Sequence, residues 1–575
     1  MTAGLEFIIG RAGTGKTHAC LAAMTEALMR EPLGRQRILL VPEHMTYAAE
    51  RALAETLTDS AGFLQAYVFG FRRLARQVLL ETGGAHLQRI SEIGRRILLK
   101  DILLKHRDEL SVFARSITKR GFTETLARTI AELRRYRLSP EILRDTADQS
   151  EDAAGRLPQK LKELALIMDE LSARMEGRLT DQTDRMERLG NAPFLRGAEI
   201  WIDGFDFFNP QEMAVFRSLF QTAYMIHVSL TMDGRREGDR VRTNLPENKL
   251  DTGLFARSYQ TMNALTDTLT ELEPSAVPTI RLMQEQHRAQ SDALRAVEAK
   301  LFGHERLAPV TDDALRLVEA ANPRLEAESV AADILRLARE KEYRYREIAV
   351  LVRDIDTYGE LLTQALTDCG IPCYLDAKRP STHHPLAELL RAAAQTAWRG
   401  WGYDSVFRAL RTGFFPVTAD AAESAAEEDE LFDCGDWQEA VDRLENYCIA
   451  FGIRTERQWT MTDEWNFVRR AIPDEEMGTE QNALRISEEI TLDAMRRRIA
   501  APLSILTQHL SSEQSTAYER TRALYDFLDQ LGAQQILDAW RTAADEEGRL
   551  ADAAAHRQIW ASCMTLFEQL VEVSG

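Results

Sequence analysis

At 575 residues, 45% hydrophobic and 28% charged, the chain has the composition of a soluble globular protein and is too long for one hydrophobic core, so roughly three to five domains are expected. A formal net charge of −19 argues against a uniformly basic nucleic-acid binder, yet residues 1–140 carry 22 Lys+Arg against 14 Asp+Glu, with pairs at Arg72-Arg73, Arg95-Arg96 and Arg134-Arg135. No apolar run reaches the ~18–20 residues of a membrane span, no signal-peptide pattern opens the chain, and six scattered cysteines without a CxxC point to a reducing cytoplasm and to no metal site.

Residues 5–9 (LEFII) read as a buried strand. A glycine turn and a helix over about 17–29 follow, then a second strand in RILLVPE (37–43) that Pro42 ends. Strand, helix, strand at this spacing predicts a parallel sheet. Residues 90–190 change to helical periodicity, as in SEIGRRILLKDILLKH, and read as a helical insertion. AEIWIDGFDFF (198–208) and AYMIHVSL (223–230) bring strands back, so the sheet begun at residue 5 is expected to resume near 198. The polar TMDGRREGDRVRTNLPENKLDTG reads as loop. A second strand–helix–strand pattern spans 314–353 and continues in GIPCYLD (370–376). From about 385 the chain turns mostly helical, and the acidic, alanine-rich stretch 418–447 reads as a solvated face.

The first turn carries the clearest chemistry. Gly10, Arg11, Ala12, Gly13, Thr14, Gly15, Lys16 and Thr17 fit GxxxxGK[ST] in full, after an apolar strand and at the start of a helix. The glycines let backbone N–H groups curl around phosphates, Lys16 reaches the β- and γ-phosphates, and Thr17 is placed to ligate Mg²⁺. ATP with Mg²⁺ is the expected ligand. Such sites take a second acid from a neighbouring strand end, and Asp203 in IWIDGF fits that place. Motors that hydrolyse ATP follow that aspartate with a water-activating glutamate, and here Gly204 follows. Asp206 would lie about 7 Å further along an extended strand and could substitute only if the backbone bends back; Glu212 is expected to begin a helix.

With these residues in hand, the chain resembles the AddB subunit family of AddAB-type ATP-dependent helicase–nucleases, related to superfamily 1 helicases. FIIGRAGTGKT, ILLVPEHMTYAAE, VFGFRRLARQVLLETGG, SEIGRRILLKDIL, IWIDGFDFFNPQE, RYREIAVLVRD, IPCYLDAKRPSTHHPL, VFRALRTGFF and TRALYDFLDQL follow the family pattern in order. The resemblance implies an α/β fold of P-loop, RecA-like parallel sheets with large helical insertions. The first such domain is expected over 1–90 and 191–310, a helical insertion over 91–190, the start of a second domain over 311–400, and a mostly helical insertion over 401–575. It implies a DNA end-processing role in double-strand break repair by homologous recombination, single- and double-stranded DNA as ligands, an AddA-like motor as partner, and a part in recognising the Chi hotspot. Thr46 in VPEHMT and Phe69, Arg72 and Arg73 in FGFRRLA resemble segments that touch the single strand. Arg353 in VLVRD falls where helicases place an arginine near the nucleotide phosphates; the residue before it, Val352, cannot stack on adenine.

Three departures from an active motor accompany the resemblance. Nine residues precede Gly10, which leaves no upstream adenine-reading glutamine; Gly204 replaces the glutamate; and TMDGR follows Leu230 without a γ-phosphate-sensing GDxxQ. Losing one positioned base typically costs ~10²–10⁴-fold in rate, so this region is expected to be a weak or inactive ATPase. The family's nuclease acids and the cysteines of its 4Fe–4S cluster are not in this sequence. The triplets Asp376-Ala-Lys378 and Glu247-Asn-Lys249 are read as chance, Cys369 and Cys373 as structural thiols, and His383-His384 as a helix start. The alternatives are a catalytically active superfamily 1 helicase, favoured by the loop, Asp203 and Arg353, and a small nucleotide kinase, which the chain's size opposes.

Overall fold

LEFII becomes part of β1 (Gly4–Gly10), an interior strand of a six-stranded parallel sheet. The computed structural model describes every residue except 1, 57–64, 83–87, 120, 151–155, 177–178, 181–191, 238–239, 243–252, 301–311, 376–380, 416–436, 474–478 and 575. It divides into two units, Met1–Val318 and Glu319–Gly575.

In the first unit β1 leads to α1 (Lys16–Arg30), β2 (Arg37–Leu40), α2 (Thr46–Thr56), β3 (Ala66–Phe69) and α3 (Phe71–Thr82). The chain then leaves the sheet. A two-residue strand β4 (Gln88–Arg89) precedes four helices, α4 (Glu92–Lys105), α5 (Phe122–Arg135), α6 (Pro140–Asp148) and α7 (Arg156–Met175), and pairs with β5 (Leu179–Thr180). Ser91 and Ser139 cap α4 and α6 through their hydroxyls. Buried Glu163 of α7 holds the turn after α4, accepting hydrogen bonds from the N–H groups of Ser111, Val112 and Phe113 at 2.7, 2.8 and 3.0 Å.

The sheet resumes with β6 (Glu199–Ile202), α8 (Pro210–Thr222) and β7 (Met225–Thr231). A hairpin of β8 (Arg235–Glu237) and β9 (Arg240–Arg242) corrects the loop expected there. Then come α9 (Ala256–Leu272), β10 (Thr279–Leu282) and α10 (Asp292–Lys300). The strand order is β10-β1-β7-β6-β2-β3, all parallel. Parallel neighbours need crossovers, and helices supply them on both faces. Leu5, Phe7 and Ile9 face one way, onto Leu74 of α3, Phe216 and Leu219 of α8 and Leu265 of α9. Ile8, with Leu39, Val68 and Trp201, faces the other way, onto Cys20, Met24 and Leu28 of α1 and Leu53 of α2. This two-sided burial is why the strand reads as a continuous apolar run.

The second unit is helical. α11 (Pro323–Glu340) and α12 (Ile355–Asp368) pack through Ala327, Ala331, Ile334, Leu362 and Leu366. The strands expected around α11 correct to irregular chain: among the described residues, 314–320, 348–352 and 371–375 join no ladder. Their apolar alternation has no neighbour to pair with, and Leu317, Leu351 and Tyr374 stand in solvent. Further on, α13 (Pro385–Arg399), α14 (Tyr403–Leu410), α15 (Trp437–Phe451), two short helices α16 (Glu456–Trp459) and α17 (Phe467–Ala471), the long α18 (Glu480–Ser511), α19 (Ala517–Gln530), α20 (Ala533–Glu546) and α21 (Leu550–Ser574) enclose a core containing Trp401, Phe414, Trp459, Trp465 and Phe527. No helix among the described residues is long and apolar enough to cross a membrane.

Candidate functional site

At the carboxyl edge of the sheet, where parallel α/β folds hold ligands, the turn from β1 to α1 opens onto a cavity of about 650 Å³. Gly13 and Gly15 adopt φ of 83° and 84°, a left-handed conformation that glycine takes without the Cβ penalty. No side chain caps α1. Gly15 at the cap position and the first helical residues, Lys16 and Thr17, therefore bring uncapped N–H groups and a positive helix end to the cavity. Lys16 is half-buried and its Nζ donates to the carbonyls of Gly10 and Arg11 at 2.9 and 2.8 Å. Burial lowers its pKa, against the opposing pull of the Asp203 carboxylate.

Arg11 contributes backbone to the loop and turns its side chain aside. The guanidinium meets Asp233 at 3.0 Å and Glu298 at 2.9 Å and lies 5.2 Å from the Phe255 ring centre, bracing the loop from outside. Thr14 closes the turn with its hydroxyl on the Arg11 carbonyl at 2.9 Å.

Asp203 follows β6 directly, is 3% exposed, and lines the cavity. Its carboxylate accepts a hydrogen bond from Ser229 of β7, and its N–H donates to the Leu40 carbonyl at 3.0 Å. The next residue, Gly204, takes φ 82° and turns the chain. The bend brings Asp206 to the same cavity, although an extended strand would have carried it away. Glu212 is occupied elsewhere: with Asn209 it forms the capping box of α8, and burial raises its pKa.

Among the cavity residues that the sequence does not announce are His287 and Arg288. After β10, residues 283–288 strap the phosphate loop. The N–H of Met283 donates to the Ile9 carbonyl at 2.8 Å and that of His287 to the Gly13 carbonyl at 2.9 Å, while Gln286 Nε2 reaches the Ala12 carbonyl at 2.7 Å. A Cβ on Gly13 would fall 2.9 Å from Arg288 Cβ, which is fixed to the strap's own backbone, so a side chain there would push the strap away. His287 and Arg288 then line the cavity, with the His287 ring over Gly15. The available signal was QHR following the short strand TIRL.

The strand-contact candidates sit beside this site, at the ends of β2 and β3. Thr46 begins α2 and its hydroxyl donates to the Glu43 carbonyl at 3.0 Å. Arg72 and Arg73 are exposed on α3. The Arg72 N–H donates to Glu43 Oε1 at 2.6 Å, and Arg73 pairs with Glu50 at 2.8 Å. Phe69 belongs to the core: it is 8% exposed and packs on Tyr67 and Phe194 at 5.7 and 6.0 Å between ring centres. It points inward from β3, so no base can stack on it.

Arg353 belongs to the second unit, where its side chain is exposed and Val352 packs onto the α11–α12 core. Cys369 and Cys373 are exposed thiols; Cys20, Cys448 and Cys563 are buried. Cys434 and the triplets at 247–249 and 376–378 lie outside the described residues. His384 does start a helix, accepting the Leu386 N–H on Nδ1 at 3.1 Å. Among the described residues no cluster of three His, Cys, Asp or Glu side chains could hold a metal ion.

A family model described as "ADDB, N-terminal" matches residues 7–298. A protein of Symbiobacterium thermophilum, named as a subunit of an ATP-dependent helicase/deoxyribonuclease, is 37% identical over 99% of this chain and 48% of its own length. Proteins of the same name from Pelotomaculum thermopropionicum and Heliobacterium modesticaldum are 36% and 35% identical, each over 99% of this chain and over 47% and 45% of their own lengths. The chain spans about half the length of the curated relatives it matches.

Proposed function

This chain belongs to the AddB family, and from that premise we propose that it is a helicase–deoxyribonuclease subunit that grips ATP and single-stranded DNA without itself driving translocation. The observation that carries the reading is the cavity at the carboxyl edge of the sheet. There a full phosphate loop, Asp203 and Arg288 converge, while the position after Asp203 is a glycine in a left-handed turn.

The residues suit a nucleoside triphosphate bearing Mg²⁺. Gly13 and Gly15 let the loop backbone take its left-handed turns, and Lys16 and Arg288 supply positive charge. Thr17 and Asp203, both on the cavity wall, would offer oxygen atoms to the nucleotide's metal ion. His287, over Gly15, stands at the phosphate end of the cavity. In this reading the first unit is a RecA-like domain of the superfamily 1 type. Thr46, Arg72 and Arg73 hold the single strand, and the chain scans it for a Chi sequence while an AddA-like partner pulls. The setting is double-strand break repair in the cytoplasm.

Equilibrium binding of a fluorescent ATP analogue tests the grip. Wild type is expected to bind with Mg²⁺, and Lys16→Ala and Arg288→Ala to bind at least ~10-fold more weakly, as removing a charge-assisted hydrogen bond implies. Equal affinity in all three would refute the site. One observation favours the alternative, an active motor: Asp206 lines the cavity and could activate water in place of the missing glutamate. Under that alternative, Asp206→Asn abolishes a measurable DNA-stimulated hydrolysis.

A further inference from the structure

A second cavity, of about 620 Å³, lies wholly within the helical unit, between the α13–α14 turn and the end of α15. Its lining is anomalous for its surroundings, since residues 319–575 carry 46 Asp+Glu against 27 Lys+Arg. Here three arginines, Arg399, Arg408 and Arg454, face a single carboxylate, Asp404. Arg408 is already held by Glu388 and Gln395, at 2.7 and 2.9 Å. Arg399 and Arg454 are exposed and form no ion pair among the described residues. Ile449 and Ile453 give the cavity an apolar wall, and Ile449 is 57% exposed. Beside it Trp398 is 80% exposed, with the Arg399 guanidinium 5.3 Å from its ring centre.

Unpaired guanidinium groups next to an exposed indole and an apolar wall repeat, at one place, the alternation of phosphate and base along a single strand. Exposed indoles are costly to leave in solvent, and arginines on their faces favour flat, electron-rich partners. We propose that this cavity is a second docking point for single-stranded DNA, with Arg399 and Arg454 on a backbone phosphate and Trp398 stacking on an adjacent base. The proposal rests on the reading that the chain binds single-stranded DNA, and it adds a site on the helical unit to the one at Arg72 and Arg73.

The test is fluorescence anisotropy of a labelled oligothymidylate with the full 575-residue chain, across a salt series. Trp398→Ala is expected to weaken binding roughly 5- to 100-fold, and Trp398→Phe, which keeps a ring, to recover most of it. Arg399→Glu with Arg454→Glu is expected to weaken binding and to flatten the slope of log K against log salt by about 0.7 for each phosphate no longer neutralised. All these side chains are exposed, and melting curves matching wild type confirm that the variants fold. Wild-type affinity in the Trp398 and arginine variants, alongside weakened binding in Arg72→Glu/Arg73→Glu, overturns this inference and leaves the DNA reading standing. No oligonucleotide binding by wild type overturns both. Thymidine monophosphate or inorganic phosphate quenching Trp398 fluorescence where the oligonucleotide does not would make the occupant a free anion and overturn the strand-binding role.

Discussion

Gly204 lies against Met45: a Cβ on the glycine would stand 3.2 Å from the thioether sulfur, and equally close to Pro42 Cδ. The turn after Asp203 and the turn after β2 are therefore packed together, and the glycine has a positive φ of 82° besides. A glutamate written into this position to repair a motor would be strained twice. Gly204→Glu is expected to lower stability by about 1–3 kcal/mol, measured by denaturant unfolding, and to leave ATP turnover unraised. A stable variant with restored hydrolysis would show that the position is a vacant catalytic place instead of a structural turn.

A pH dependence is built into the sheet. His227 on β7 lies between Glu6, at 2.5 Å from Nδ1, and Glu199, at 3.4 Å from Nε2, and stacks on Trp201 at 5.0 Å. Arg37, 3.8 Å from Glu199, and Arg281, which acts on Glu6, complete the charged groups around it. Burial pulls the imidazole pKa down, but the two carboxylates outweigh it and the net shift is upward. The stabilisation is thus fully present below the ordinary histidine pKa and is lost as pH rises through the folded value. The Glu6 pKa is lowered, chiefly by its hydrogen bond to His227, so its contribution is present above the ordinary carboxylate pKa and fades as pH falls through the folded value. Unfolding free energy is expected to decline as pH rises above the ordinary histidine pKa and through the raised folded value, and His227→Gln to remove most of that slope. An unchanged slope in the variant would assign it to other groups.

Phe69 and its neighbours separate core from surface. Phe69→Ala is expected to cost about 3–5 kcal/mol of stability, as for a large buried aromatic. Arg72→Glu with Arg73→Glu is expected to change stability by no more than ~0.5 kcal/mol while weakening single-strand binding and its salt dependence. Unfolding curves and a salt titration read the two effects separately.

In the second unit and the segment leading into it, burial and apolar character part company. Leu317 and Leu351 are 101% and 91% exposed, whereas Leu362 is 8% exposed between α11 and α12. Leu317→Lys and Leu351→Lys are expected to stay within ~0.5 kcal/mol of wild type, and Leu362→Ala to cost about 2–5 kcal/mol. A large loss in either lysine variant would mean that these segments are covered in solution.

These contrasts mark where the sequence was readable. β1, β6 and β7 announce themselves because both faces of an interior parallel strand are apolar, and the phosphate loop because its glycines and lysine have fixed spacing. β3 and β10 were missed: each has four residues and lies at a sheet edge, and β10, with alternate positions exposed, carries little apolar signal. With β10 went the strap that brings His287 and Arg288 to the loop. Asp206 stayed conditional on a bend in the backbone for a different reason. Distance along a strand is legible, but the left-handed turn at Gly204 that cancels it depends on Pro42 and Met45, about 160 residues earlier in the chain. The segments flanking α11 erred the opposite way, since alternation gives a strand its faces but not its partner.

A nucleotide grip uncoupled from a motor would separate binding from turnover. ATP hydrolysis by the purified chain with saturating single-stranded DNA, in wild type and Lys16→Ala, decides whether it does. ATP is expected to be bound but turned over at least ~10²-fold more slowly than by a typical enzyme working at about 10 s⁻¹, with little change in Lys16→Ala. Brisk DNA-stimulated hydrolysis that Lys16→Ala abolishes would contradict it.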